Sequence, residues 1–273
     1  MPEMVFRQYR LADIPALISL WEGIFGDGPE VISGFFRVLP EIGSCFIAEQ
    51  DSRITGMASV ITDLMLKDVG CSTKCAYIYA VAVESSFRGA GIGGTLSRMA
   101  ADFGRKNGAN IISTLPANEG LYSMYEKTIG LDKTLRREKT SVSSGHTGTE
   151  ISHMLPVSPV EYNLKRESLL SKTAYLSVSD KCIEFLKTLC NGNGGDIFAG
   201  ENYCAAMYVT DNSVFFPELL CPESERSSFL SLGASMKNKV TAYCYGPSDE
   251  GERYIAYAGD MVYHNPVWNI TFE

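Results

Sequence analysis

The chain has 273 residues, a formal net charge of -8, an apolar fraction of 45% and a charged fraction of 21%. That is the composition of an ordinary globular chain, long enough to bury one large core or two smaller ones. The acidic balance argues against nucleic acid and anionic membrane surfaces as partners, since both need a basic face, and no apolar run approaches the ~20 residues of a membrane span.

Val5 to Tyr9 reads as a short strand. Asp13 then caps an amphipathic helix through Trp21, with Pro15 tolerated in its first turn. Gly26-Asp27-Gly28-Pro29 breaks it, and a second helix spans Glu30 to Val38. Ser44 to Glu49 and Ile54 to Leu64 form a hairpin around Asp51-Ser52. Lys74 to Val83 is a strand with apolar or small residues on both faces, which places it centrally in a sheet. Ile92 to Lys106 is a helix with Ile92, Leu96, Met99 and Phe103 on one face, ended by Asn107-Gly108. Asn110 to Thr114 is a strand, Glu119 to Lys127 a short helix, and a further strand runs to Val142.

The small polar segment Ser143 to Gly148 reads as a linker. Beyond it come helices from Pro159 towards Leu170 and from Ser179 to Cys190, then strands Asp196 to Ala199, Cys204 to Val209 and Val214 to Leu220. A helix from Pro222 to Met236 and strands Val240 to Tyr245 and Tyr254 to Met261 follow, and Val267 to Phe272 is β-prone. Two domains are therefore expected, residues 1–145 and 155–273. Their elements recur in similar order, as in a distant structural repeat without a sequence repeat.

Eight cysteines, several within apolar runs, and three histidines, all remote from the close pair Cys71/Cys75, make buried free thiols the expected state and a metal site unexpected. The opening Met1-Pro2-Glu3-Met4 lacks the basic region and apolar core of a secretion signal, so a cytoplasmic location is expected.

The most informative segment is Arg88-Gly89-Ala90-Gly91-Ile92-Gly93-Gly94, which follows the central strand and opens a helix. Glycines there let consecutive N–H groups face a pyrophosphate at a helix N-terminus, and Arg88 adds a charge-assisted donor. A triphosphate loop would need Lys after its last glycine, which is missing. Gly89, Gly91 and Gly94 satisfy a dinucleotide pattern, but about four strands precede them and no acid ends the next strand to hold a ribose. A phosphotransferase would need a lysine and metal-binding acids that do not flank the turn.

Val81 to Leu96 resembles the acetyl-CoA signature of the GNAT superfamily of N-acetyltransferases, Arg/Gln-x-x-Gly-x-Gly/Ala, here Arg88, Gly91 and Gly93. Asn118 to Lys127, followed by Gly130-Leu131, resembles that family's Tyr-Glu-Lys-x-Gly-Phe region, with Gly one residue later than usual and Leu131 in place of Phe. The resemblance covers residues 4 to 142. It implies an α+β (mixed α/β) fold, a bent mixed sheet whose central strands part around acetyl-CoA, with helices on its faces. It further implies that Val81 and Val83 pair with the pantetheine arm. The amides of Arg88, Gly89, Gly91, Ile92, Gly93 and Gly94 would hold the pyrophosphate, Asn118 would contact the cofactor arm, and Tyr125 would protonate the leaving thiolate. Tyr122, nearly one helical turn away, is the substitute for Tyr125.

The expected function is transfer of an acetyl group from acetyl-CoA to a small-molecule or peptide primary amine. The rival is a catalytically silent CoA-binding or dimerisation module, and a homodimer fits either reading. The chain's acidity favours a cationic acceptor such as a polyamine, aminoglycoside or lysine side chain. Glu41, Glu49, Asp63, Tyr77, Tyr79 and His264 are the candidate bases or site residues on the acceptor side. The second domain reads either as a degenerate half of the same fold or as an unrelated accessory domain.

Overall fold

A computed structural model describes residues 3–143, 153–261 and 265–272. The linker reading over residues 144–148, His146 and His264 fall outside them. In chain order the elements are β1 (Val5–Gln8), α1 (Ile14–Phe25), α2 (Pro29–Ile42), β2 (Gly43–Gln50), β3 (Arg53–Asp68), β4 (Cys71–Val83), α3 (Ile92–Lys106), β5 (Ile111–Thr114), α4 (Glu119–Ile129) and β6 (Lys133–Ser143). They continue with α5 (Pro159–Leu170), β7 (Tyr175–Val178), α6 (Asp180–Gly192), β8 (Asp196–Ala199), β9 (Cys204–Val209), β10 (Ser213–Leu220), α7 (Arg226–Met236), β11 (Thr241–Pro247) and β12 (Glu252–Ala258). The fold is mixed α/β, as the resemblance implies. Among the described residues no helix is long and apolar enough to cross a membrane.

Two compact units form, and they do not follow a single cut between residues 145 and 155. The first is Met1–Leu66, Ser72–Leu135 and Arg253–Val262; the second is Lys67–Cys71, Arg136–Glu252 and Tyr263–Glu273. The reason lies in strand edges. In the first unit the sheet order is β1-β2-β3-β4-β5-β12, and β12 pairs antiparallel with β5 from Ala256↔Thr114 to Ala258↔Ile112. In the second unit the order is β6-β11-β10-β9-β8, and β6 pairs antiparallel with β11 along Thr241↔Ser143 to Pro247↔Arg137. Each edge that would expose backbone donors is thus completed by a strand from the other part of the sequence.

The repeat expected from element order has a structural counterpart. In the first unit, hairpin β2–β3 leads to β4, a 3-10 turn at Ser85–Phe87, helix α3 and a parallel strand β5. In the second unit, hairpin β8–β9 leads to β10, a 3-10 turn at Glu223–Glu225, helix α7 and a parallel strand β11. The β2–β3 turn is tight because Asp51 and Ser52 both take left-handed backbone, φ 51° and 63°, as hairpin turns matching strand twist require.

Each unit has its own apolar centre. Ala58, Val60, Ala76, Ile78, Ile92, Leu96, Ala100 and Ile112 pack in the first, and Met207, Val214, Phe216, Phe229, Leu230 and Ala234 in the second. Helix α3 seats closely because Gly104 faces the sheet; a Cβ there would lie 2.7 Å from that of Ala76. The β-prone C-terminal stretch does not form a strand. It makes one parallel bridge, Tyr175↔Val267, and buries Trp268, Ile270 and Phe272. Strand β7, four buried residues, was not foreseen because nothing alternates in Tyr175-Leu176-Ser177-Val178.

Candidate active site

The site begins where β4 and β5 part. They run parallel in register from Cys75↔Ile111 to Ile78↔Thr114, and there the pairing stops. β5 ends at Thr114, followed by Leu115-Pro116, and proline cannot extend a ladder. β4 continues to Val83, beyond the end of that register. Within that stretch Ala80 adopts φ 50°, left-handed backbone inside a strand. A non-glycine residue there costs about 1 kcal/mol or more, and the irregularity re-aims the backbone of Val81 to Val83. Val81 and Val83 are half-buried against the core, so their side chains anchor the strand.

At the end of β4 the Glu84 N–H donates to the Thr55 carbonyl at 2.9 Å, and Arg53 donates to both oxygens of the Glu84 carboxylate at 2.8 Å. Arg88 turns back, its Nε donating to the Val83 carbonyl at 3.0 Å. That carbonyl is therefore held by Arg88, which narrows the expected role of Val83 to its N–H. The contact also fixes the exposed Arg88 side chain beside the glycine turn.

Gly89 and Gly91 have φ 85° and 77°, which is why glycine stands at both. Gly91 is the N-cap of α3 and no side chain caps the helix. The hydrogen bond that opens the helix runs from the Thr95 N–H to the Gly91 carbonyl at 3.0 Å. The N–H groups of Ile92, Gly93 and Gly94 precede it, in the turn where a helix supplies no acceptor of its own. A Cβ on Gly89 or Gly91 would meet nothing within 4 Å, so the surface over the turn is open. Ile92 contributes only its amide, because its side chain is in the core. Gly94 has a packing role as well, since a Cβ there would lie 3.1 Å from Thr128 Cγ2 on α4. This arrangement fits a diphosphate: unsatisfied donors, a positive helix end and room above them.

Helix α4 carries the other candidates. Asn118 is its N-cap, and its Oδ1 accepts from the Leu121 N–H at 3.3 Å. Its carbonyl oxygen is thereby engaged in capping. The extra residue before Gly130 causes no bulge. It lengthens α4 to Ile129, and Gly130 closes the helix at φ 75° with its N–H on the Glu126 carbonyl at 2.9 Å.

Tyr125 is 4% exposed and lies in the first unit's core. Its phenol is hydrogen-bonded to the Ser97 and Thr114 hydroxyls. Ser97 donates its own proton to the Gly93 carbonyl at 2.8 Å, and Thr114 donates to the Ile78 carbonyl at 2.9 Å. Burial pushes the Tyr125 pKa up to about 12 and outweighs the hydrogen bonds with Thr114 and Ser97, which lower it. The hydroxyl thus joins two parts of the candidate site: the helix behind the glycine turn through Ser97, and the parting of the strands through Thr114, the last residue of β5.

Tyr122 is occupied elsewhere. The Arg253 guanidinium lies 4.4 Å from its ring centroid and also pairs with Glu119. Arg253 comes from β12, so the sequence offered no local signal for this clamp on α4.

The acceptor-side candidates are scattered. Glu41 and Asp63 are exposed, and Glu49 is held by Arg7 at 2.7 Å. Tyr77 is buried and stacks on Tyr79 with centroids 6.0 Å apart; Tyr79 meets Trp21 and Phe35 edge-on at 5.4 Å. Cys71 is exposed and Cys75 buried. No group of three or more His, Cys, Asp or Glu side chains suited to a metal ion occurs among the described residues.

The second unit has the same strand parting without the cradle. Parallel pairing of β10 with β11 ends at Phe216↔Cys244, and β10 has a register shift between Phe215 and Glu218. Beyond it the 3-10 turn Glu223–Glu225 runs straight into α7 at Arg226, whereas residues 88–91 separate the corresponding turn from α3. At the parting stands Glu218, 1% exposed, accepting from Arg166 Nε at 2.9 Å and from the Tyr162 hydroxyl at 2.8 Å.

Comparison with known proteins gives the context. Residues 17–131 match the model of the acetyltransferase (GNAT) family. Among solved structures, a GCN5-related N-acetyltransferase from Kribbella flavida is 14% identical with a TM-score of 0.65, covering 94% of this chain and 71% of that one. A protein from Pyrococcus horikoshii is 16% identical with a TM-score of 0.64, covering 98% of this chain and 95% of that one. Eis1 from Mycobacterium abscessus is 10% identical with a TM-score of 0.60, covering 94% and 73%. No curated protein matches the chain. At such identities the likeness is one of fold.

Proposed function

With residues 17–131 a domain of the GNAT acetyltransferase family, we propose that this protein transfers an acetyl group from acetyl-CoA to a primary amine by direct attack in a ternary complex. Acyl transfer is the chemistry of that family. The observation that carries the finer reading is the glycine-opened N-terminus of α3, which no side chain caps, together with the end of β4 that runs past its register with β5 and holds Ala80 at φ 50°.

In this reading the amides of residues 89 to 94 and the Arg88 guanidinium hold the pyrophosphate, and the backbone of Val81 and the N–H of Val83 take the pantetheine arm. Acetyl-CoA, bound as cosubstrate, supplies the activated carbonyl. The amine lone pair forms the new N–C bond as the C–S bond breaks and sulfur leaves with its electron pair. An amide of Val81 or Val83 polarises the carbonyl oxygen, and the ammonium proton of the acceptor leaves through water.

Tyr125 is the proton donor to the departing sulfur. A phenol with a pKa of about 12 keeps its proton throughout the neutral range, as a donor must. That strength alone would make it a reluctant acid, so the transfer relies on a sulfur anion desolvated in the cleft. Asn118 supports the site by fixing the start of α4, and its free role towards the cofactor arm would fall to its amide nitrogen. Release of free thiol from acetyl-CoA that depends on an added amine tests the reading.

A further inference from the structure

Two buried hydroxyls of the first unit meet at one phenol. Ser97 lies in α3, one turn past Gly93, and is fully buried; Thr114 ends β5 and is 3% exposed. The core that holds Tyr125 is otherwise apolar, with Ile78, Leu96, Ala100, Ala101 and Ile112 in the same cluster. A buried hydroxyl costs free energy unless it is bonded, and alanine at 97 or valine at 114 would suit a helix-on-sheet core without that cost. Each hydroxyl does have a local partner, the Gly93 carbonyl at 2.8 Å and the Ile78 carbonyl at 2.9 Å. Local pairing of this kind would account for either residue alone. It does not account for both reaching the Tyr125 hydroxyl, one from a helix and one from a strand.

Giving a proton to sulfur leaves Tyr125 as a phenolate. The O–H bond breaks, its electron pair stays on the phenol oxygen, and an S–H bond forms. The side chain is almost fully buried, and no charged side chain among the described residues shifts its proton affinity. Burial works against the phenolate, whereas Thr114 and Ser97 work for it. A hydroxyl turns about its C–O bond, so each can swing from its carbonyl to the phenol oxygen as negative charge develops there. The Gly93 carbonyl is not stranded by that turn, because helix geometry also pairs it with the Ser97 N–H.

We propose that Ser97 and Thr114 are positioning residues of the transfer step, which aim the Tyr125 hydroxyl and donate to its oxygen once the proton has left. The phenolate takes a proton back from water when the thiol departs, and the two hydroxyls return to their carbonyls. This rests on the reading of Tyr125 as the proton donor.

The test is a pair of double-variant cycles on amine-dependent thiol release from acetyl-CoA. Ser97→Ala and Thr114→Val should each lower kcat about tenfold or more, the scale of a hydrogen bond to a charged group, with the KM for acetyl-CoA changed by less than about twofold. Thr114→Ser keeps the hydroxyl and should retain most of the wild-type rate. In a Tyr125→Phe background neither Ser97→Ala nor Thr114→Val should lower kcat further, and thermal midpoints verify that each variant folds. Equal losses with and without the Tyr125 hydroxyl, or Thr114→Ser as slow as Thr114→Val, would overturn the proposal and leave Tyr125 in its role. An unaltered rate in Tyr125→Phe would instead remove the proton donor, and the proposal with it. A second readout needs no turnover. The carbon-13 resonance of Tyr125 Cζ, identified by its loss in Tyr125→Phe, should move less between about pH 10 and 11.5 in the double variant Ser97→Ala, Thr114→Val than in wild type. An equal or larger movement would overturn the proposal.

Discussion

Ile78 and Thr114 are the last residues paired between β4 and β5, and the Thr114 hydroxyl closes that junction by donating to the Ile78 carbonyl at 2.9 Å. Everything assigned to catalysis lies at or beyond this junction. The stretch of β4 that runs past its register with β5 starts there, the Tyr125 phenol is bonded to the same hydroxyl, and the turn that begins at Arg88 follows the end of β4 at Val83.

Gly93 separates cofactor binding from folding. It is helical, and a Cβ there would meet only Val83 Cγ2, at an ordinary 3.6 Å. Gly93→Ala should therefore leave stability unchanged or raise it, by up to about 1 kcal/mol from helix propensity, in urea unfolding. Gly93→Val sets a branched side chain against the cradle and should raise the KM for acetyl-CoA at least tenfold. An unaltered KM would mean that the pyrophosphate lies elsewhere.

Tyr125→Phe should lower kcat by a factor of about 10²–10³, the usual scale of a lost general acid, with little change in KM for acetyl-CoA. The pH profile gives a second check. Because the phenol stays protonated up to about 12, the wild-type rate should show no falling limb between pH 7 and 10, only the rise as the amine acceptor loses its proton. A descending limb near pH 9 that vanishes in Tyr125→Phe would contradict the assigned environment.

The same burial predicts an alkaline loss of stability. Between pH 10 and 12 the unfolded chain has released the Tyr125 proton while the folded one keeps it. The unfolded state then binds fewer protons, so stability falls as pH rises. Two pKa units correspond to about 2–3 kcal/mol. Other tyrosines and buried thiols titrate in this window, so the measurement is the difference in unfolding free energy between wild type and Tyr125→Phe at pH 9 and 11.5. That difference should shift by roughly this amount in favour of the variant at the higher pH.

In the second unit, Arg166 and Glu218 are each about fully buried. Glu218→Ala removes the carboxylate on Arg166 Nε, leaving the charge only Glu167 at 3.9 Å, and should cost about 3–5 kcal/mol. Replacing both, Arg166→Met with Glu218→Leu, should recover most of it by restoring apolar packing. Urea unfolding of the two variants measures this, and a double variant as unstable as the single one would show that the pair contributes more than charge compensation.

Much of the architecture was legible because local signals agreed. Ile92 to Lys106 shows helical spacing between a glycine turn and Asn107-Gly108, and its observed limits are the expected ones. Asp51-Ser52 between two apolar runs specified the hairpin. What escaped was carried by contacts distant in sequence. Nothing near Arg253 says that it will grip Tyr122 and Glu119, or that β12 will complete the edge of β5. The bend at Ala80 is equally silent, since alanine is an ordinary strand residue and only tertiary packing holds it at positive φ. In the site, the glycines and Tyr125 could be picked from spacing, whereas the burial of Tyr125 and the capping duty of Asn118 required the helix to be seen in place.

The central claim is transfer from acetyl-CoA to an amine, and the most direct measurement is the stoichiometry of its two products. The protein is incubated with acetyl-CoA and a panel of polyamines, aminoglycosides and lysine peptides, and free CoA thiol and acetylated amine are quantified together. At least one amine should raise thiol release well above hydrolysis, with one acetyl-amine formed per thiol. Intact CoA binding with no amine raising thiol release above background would contradict the claim and leave a cofactor-binding module without transferase activity.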